Sequence, residues 1–130
     1  MVSYRTPLGR ARGLGSAKHG AVDWLAERFA ALALVPLTLW AVFGVLRLAT
    51  LDYLGAVRWV AHPLNATLLV LTVAVSFWHM HRGMRVVVED YIHKSLSKLA
   101  ILLLNFLVCG LAGALAVFSI LKVAFSGGAY

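Results

Sequence analysis

Three apolar stretches, residues 29–46, 63–80 and 99–120, dominate a chain of 130 residues. As helices the first two are each roughly 27 Å long, close to the hydrocarbon thickness of a bilayer, and flanking residues extend them. With 62% hydrophobic and 13% charged residues, the chain is far from the usual soluble mix. The expected fold is an all-α membrane protein with three transmembrane helices in an up-down-up bundle. Their expected bounds are about residues 22–50, 62–89 and 96–125, within a single unit spanning 1–130. No separate catalytic domain fits.

The formal charge is +7, which on its own suggests nucleic acid. Its distribution argues for topology instead. Arg5, Arg10, Arg12, Lys18 and Arg28 precede or open the first span, and Arg82, Arg85, Lys94 and Lys98 lie between the second and third. Only Arg47, Arg58 and Lys122 fall on the other side. Basic residues gather on the cytoplasmic side, so the N-terminus and second connection are expected there, with the C-terminus outside. The basic excess then serves topology and membrane-lipid contact, and nucleic acid is excluded as a partner. The N-terminal part reads as a retained signal-anchor: its basic region is long and no cleavage site ends it. Cys109 is the single cysteine, so no internal disulfide forms, and its apolar neighbours suit a small packing residue.

Residues 1–20 are rich in Gly, Arg and Ser and are expected to be an extended cytoplasmic segment. The first long helix is expected near Val22, with Asp23 and Glu27 in early turns that favour carboxylates. Pro36 lies inside it, and a mild kink is expected. Residues 51–61 read as a short loop whose Asp52, Tyr53, Arg58 and Trp59 suit an interface. Pro63 suits the first turn of the next helix, which continues past Arg85 because nothing in Val86, Val87 and Val88 breaks it. A turn is expected around residues 90–97. In the last helix Cys109, Gly110, Gly113 and Ala114 form a stripe of small residues that lets another helix approach closely.

The chemistry is concentrated in WHMHRGMRVVVEDY, where the second span runs out into charged residues. At about 100° per residue, the eleven steps from His79 to Asp90 bring both to nearly the same side, roughly 16 Å apart along the axis. An imidazole can ligate haem iron, and Gly83 one turn on leaves room for a flat macrocycle. His79 otherwise packs and hydrogen-bonds like any membrane histidine. His81 lies roughly 200° around the helix from His79, so both do not face one haem. It points to a partner helix, a propionate edge or the headgroups. No other histidine here supplies a second axial ligand: His62 is on the opposite side, and His19 and His93 lie outside the spans. A haem on this chain would therefore be shared with another polypeptide.

Two readings stand for each remaining candidate. Tyr91 is an interfacial aromatic or a neutral phenol that donates a hydrogen bond to a quinone carbonyl. Asp90 orients that phenol or relays protons, or merely pairs with Arg85 or Lys94. Arg28 pairs with a haem propionate or anchors its helix at the headgroups.

The pattern His79-x-x-x-Gly83-x6-Asp90-Tyr91 at the cytoplasmic end of the second of three spans resembles the small haem b membrane-anchor subunit, the D-type chain, of succinate dehydrogenase. LGRARGLGSAKHG followed by DWLAERFAALALVPLTLW is similar to that family's lead-in to its first helix. The resemblance covers nearly the whole chain. It implies one subunit of a four-subunit succinate:quinone oxidoreductase in a bacterial inner membrane or the mitochondrial one. The flavoprotein and iron–sulfur subunits would carry FAD and the clusters, so this chain would hold no succinate-oxidising site. Haem b would lie between this anchor and a second, cytochrome b anchor, with ubiquinone as substrate. By the same resemblance His79 is an axial ligand, Gly83 packs on the haem, Arg28 lies near its propionates, Tyr91 bonds the quinone and Asp90 supports it. Two departures bear on the propionate contacts. Glu27 stands where the family often has Gln or a neutral residue, and Val22 where some relatives place a histidine. The rivals are the anchor of a fumarate reductase or other quinone-linked dehydrogenase, and a haem-free membrane adaptor or assembly protein.

Overall fold

The computed structural model describes residues 6–11 and 20–126. Five helices follow in order: α1 (Pro7–Ala11), α2 (Gly20–Leu48), α3 (Tyr53–Ala61), α4 (Pro63–Tyr91) and α5 (Ser95–Ser126). No strand occurs among the described residues. Three of these helices, α2, α4 and α5, are long and apolar enough to cross a membrane. They run up, down and up, with α4 packed against both α2 and α5. At one end lie the start of α2, the end of α4 and the start of α5. At the other end α3 packs against α4 and α5.

Local chemistry explains most of the boundaries. Helix α2 continues through Pro36, and Asp23 lies in its first turn, where the helix dipole favours a carboxylate. Pro63 opens α4 at a position whose missing N–H would have had no helical partner. That helix runs beyond residue 89, the expected end, and takes in Asp90 and Tyr91; the Ile92 N–H then closes on the Val88 carbonyl at 3.0 Å. No glycine or proline interrupts residues 84–91, so nothing stops the helix sooner. Only three residues then separate α4 from α5, which forces the two to run antiparallel.

Two segments depart from expectation. Within the tail expected to be extended, residues 7–11 form a short helix; residues 1–5 and 12–19 lie outside the described residues, as does 127–130. Residues 53–61, expected as loop, are helical. Asp52 caps this helix through a 3.0 Å bond from the Gly55 N–H to its Oδ1, satisfying a free end donor. Trp59 then stacks on Trp40 of α2, with ring centroids 5.8 Å apart and planes 17° apart. Gly44 makes this possible: a Cβ there would lie 3.0 Å from the Trp59 ring. Asn65 holds the far end, its amide donating to the Trp59 carbonyl at 2.8 Å.

The interior is sparse and made of small or medium residues: among the described residues Ala30, Ala66, Val88 and Cys109 are the buried apolar side chains, and Gly44 is buried as well. Between helices in lipid there is no hydrophobic drive to bury large side chains, so close packing falls to small ones. The stripe on α5 divides accordingly. Cys109 is buried, and a Cβ at Gly113 would meet Phe77 of α4 at 3.3 Å, whereas nothing lies within 4 Å of one at Gly110. Leu32, Leu39, Phe43, Leu103, Leu111 and Phe118 are all exposed on this chain, as suits lipid or a partner subunit.

Candidate functional site

All four residues of the His-Gly-Asp-Tyr pattern lie on the single unbroken helix α4. Continuous helix from 79 to 90 keeps the same-side relationship of His79 and Asp90 and their axial separation of roughly 16 Å. His79 is half-buried, and its Nδ1 is enclosed with no hydrogen-bond partner among the described residues. A buried ring nitrogen without a partner is costly, and in a membrane segment such groups usually serve a bound group or a partner. At Gly83, one turn on, a Cβ would meet nothing within 4 Å, so this side of α4 is open. Because Nδ1 is enclosed by the chain itself, Nε2 is the ring nitrogen through which His79 could reach a group outside, and the open space at Gly83 one turn on has room for a flat, iron-bearing ligand. No cluster of three or more metal-ligating side chains occurs among the described residues.

At the end of α4, Asp90 is exposed and Tyr91 is 77% exposed, so both are open to a ligand or a neighbouring subunit. The ion pairs nearby leave Asp90 out: Arg85 pairs with Glu89 at 2.8 Å and Arg82 with Asp23 at 3.2 Å. Lys98 donates to the Glu89 carbonyl at 3.2 Å. Asp90 is therefore not the partner of Arg85, one of the two ordinary roles it had. Arg28 is exposed on α2, with its guanidinium 5.2 Å from the Trp24 ring centroid. That contact holds it at the same end as Asp90 and Tyr91, and no contact joins it to His79.

Two features escaped the sequence reading. The Arg82–Asp23 pair bridges 59 residues and ties the start of α2 to α4. Arg82 also donates to the Asp23 carbonyl at 3.4 Å and lies over the Trp78 ring, 5.1 Å from its centroid. Beside the pair, Asp23, Glu27, Arg82, Arg85 and Glu89 line a cavity of about 220 Å³. The second feature is on the other side of α4. His81 faces α5, where Asn105 Nδ2 lies 3.0 Å from its Nδ1 and 3.0 Å from its backbone carbonyl. The His81 ring also meets Phe106 edge-on at 5.8 Å. Of the three places expected for His81, a neighbouring helix is the one it occupies. Near it a cleft of about 390 Å³ opens between α4 and α5, bordered by Phe77, Trp78, Phe106 and Gly110.

Comparison with known proteins agrees with this architecture. Residues 2–120 match the family described as succinate dehydrogenase/fumarate reductase transmembrane subunit. The succinate dehydrogenase hydrophobic membrane anchor subunit of Rickettsia conorii is 33% identical over 108 residues, covering 81% of this chain and 86% of that one. The Rickettsia bellii counterpart is 35% identical over 89 residues, covering 68% and 71%. That of Paracoccus denitrificans is 32% identical over 99 residues, covering 76% and 77%. No solved structure matches. A three-span bundle, a family match over nearly its whole length and relatives that share most of it lead to one conclusion: the chain belongs to the succinate dehydrogenase/fumarate reductase transmembrane subunit family, as a membrane-anchor subunit of succinate dehydrogenase.

Proposed function

We propose that this anchor binds haem b jointly with a second anchor subunit and forms part of the site where ubiquinone is reduced. The observation that supports the reading is the half-buried His79 imidazole one turn from the open side of Gly83, with Nδ1 enclosed by the chain and Nε2 left to reach outward. When bound, haem b supplies a one-electron carrier buried in the membrane. The chain's own contributions are three. His79 would hold the iron through its imidazole Nε2, with a further ligand contributed by the second anchor. Gly83 leaves the macrocycle room. Arg28 carries positive charge toward the propionates, though its present contact is Trp24.

Ubiquinone takes up two electrons and two protons to become ubiquinol. The electrons come from an iron–sulfur subunit fed by a flavoprotein, and the protons from the aqueous side. Tyr91 donates its O–H to a quinone carbonyl, which holds the ring and eases build-up of negative charge on that oxygen. Asp90, free of any ion pair with Arg85, sits beside it as a support for the phenol or a stop for protons. The nine-to-three basic asymmetry supports a topology with this end of the bundle in the cytoplasm or matrix and the C-terminus on the far side. Lys94 and Lys98 then stand on the side open to an iron–sulfur subunit, as contacts for it or as lipid anchors.

Tyr91→Phe isolates the hydroxyl, since the ring and its packing remain. Loss of one neutral hydrogen bond to a ligand costs about 0.5–1.5 kcal/mol, more if the oxygen is left buried. Quinone-linked turnover should fall several-fold, while succinate oxidation by an acceptor that bypasses the quinone pocket stays near normal. Haem content should persist, because His79 lies roughly 18 Å away along α4. Unchanged quinone kinetics would reduce Tyr91 to an interfacial anchor.

A further inference from the structure

Asn105 is a lone carboxamide within the apolar run of α5. It stands ten residues past the start of α5 at Ser95, and His81 stands ten residues before the end of α4 at Tyr91. Both therefore lie roughly 15 Å from the α4–α5 turn, at the same depth. The contacts fix the chemistry of each atom. The Asn105 atom 3.0 Å from the His81 carbonyl must be the amide nitrogen, since an oxygen there would face an oxygen. That same nitrogen lies 3.0 Å from His81 Nδ1, which then accepts, so the ring proton sits on Nε2. The amide oxygen is occupied as well: the Cys109 thiol donates to it at 3.2 Å. Both amide hydrogens have an acceptor on α4, and the side chain is held from behind by its own helix.

Such a contact fixes rotation as well as distance. It grips the backbone and the side chain of one residue, so α4 cannot turn about its axis without breaking a bond. His79 precedes His81 by two residues and projects roughly 200° away. Holding His81 toward α5 therefore holds His79 away from α5. The Arg82–Asp23 pair ties α4 to α2 nearer the helix end, and the Asn105 contact fixes its angle against α5 beside the cleft at Gly110.

Resting on the haem reading of His79, we propose that Asn105 is a positioning residue that fixes the rotation of α4 through His81 and so holds the His79 imidazole on the iron. Asn105→Leu keeps the volume and removes both donors. In the purified four-subunit complex, the low-spin haem spectrum recorded without added ligand should be kept. The fraction of reduced haem that binds carbon monoxide should rise several-fold, because a loosened histidine vacates its position more often. An assembled Asn105→Leu complex with full haem and unchanged carbon monoxide reactivity would overturn the proposal. Should that variant fail to assemble, His81→Phe provides the same test: it keeps a ring against Phe106, removes the Nδ1 acceptor and is expected to raise carbon monoxide binding too. An assembled His81→Phe complex with wild-type reactivity would equally overturn it. If His79→Ala keeps the low-spin signal, the haem reading itself fails and takes the role of Asn105 with it.

Discussion

The two sides of α4 treat their polar groups in opposite ways. On the side facing α5, His81 is bonded through its ring and its carbonyl to Asn105. Away from α5, His79 Nδ1 has no partner among the described residues, Gly83 fronts open space and Asp90 is exposed, while Tyr91 projects between the two sides at the helix end. Two histidines two residues apart thus differ: His81 is bonded within the chain, while His79 has no hydrogen-bond partner at Nδ1 among the described residues. A polar group in a membrane helix without an internal partner marks where the subunit is incomplete. The closed side holds the fold, and the open side is where a cofactor and a second anchor would fit.

The largest effect expected from this contrast is at Gly83. A Cβ at Gly83 would meet nothing within 4 Å among the described residues, so the anchor carrying Gly83→Leu should fold and insert normally. The branched side chain would occupy the room proposed for the macrocycle, and the complex should lose most of its haem by absorbance. Normal haem content in that variant would move the site off this side of α4. On the closed side, Gly113→Leu drives a side chain into Phe77, where even a Cβ would lie at 3.3 Å. Overpacking of this kind costs about 1–3 kcal/mol, visible as a lower thermal midpoint of the solubilised complex. The same change at Gly110, which has nothing within 4 Å, should cost little and serves as the internal control. The smallest effect belongs to the Arg82–Asp23 pair. Asp23 is half exposed, its side chain 52% accessible, so Asp23→Asn should change stability by only about 0–1 kcal/mol. A larger loss would mean the pair is enclosed in the assembled complex.

Most of the bundle was legible in the sequence because span length and apolar composition act locally. So was the alignment of His79 with Asp90, which needs only an unbroken helix, and residues 84–91 contain nothing to break one. Helix α3 was not. Its residues mix glycine, arginine and tryptophan, and what makes them helical is an Asp52 cap together with Trp59 stacked on Trp40 over Gly44. Those contacts depend on how α2 is placed. The partners of Asp23 and His81 were hidden for the same reason: they lie 59 and 24 residues away, and helix rotation decides which side chains meet. A signal for the second was present in Asn105, a carboxamide deep in an apolar span that had to bond to something. Its significance appears only once α4 and α5 are set side by side.

The most direct test of the contrast sets the two histidines against each other in the same complex. His79→Ala and His81→Ala are purified with all four subunits, and their reduced absorption and low-spin haem spectra are compared with wild type. The account predicts that His79→Ala loses or grossly alters the b-type low-spin signal, while His81→Ala keeps both axial ligands and the signal with them. A His81→Ala complex that lost the signal, beside a His79→Ala complex that kept it, would contradict the account and exchange the roles of the two sides of α4.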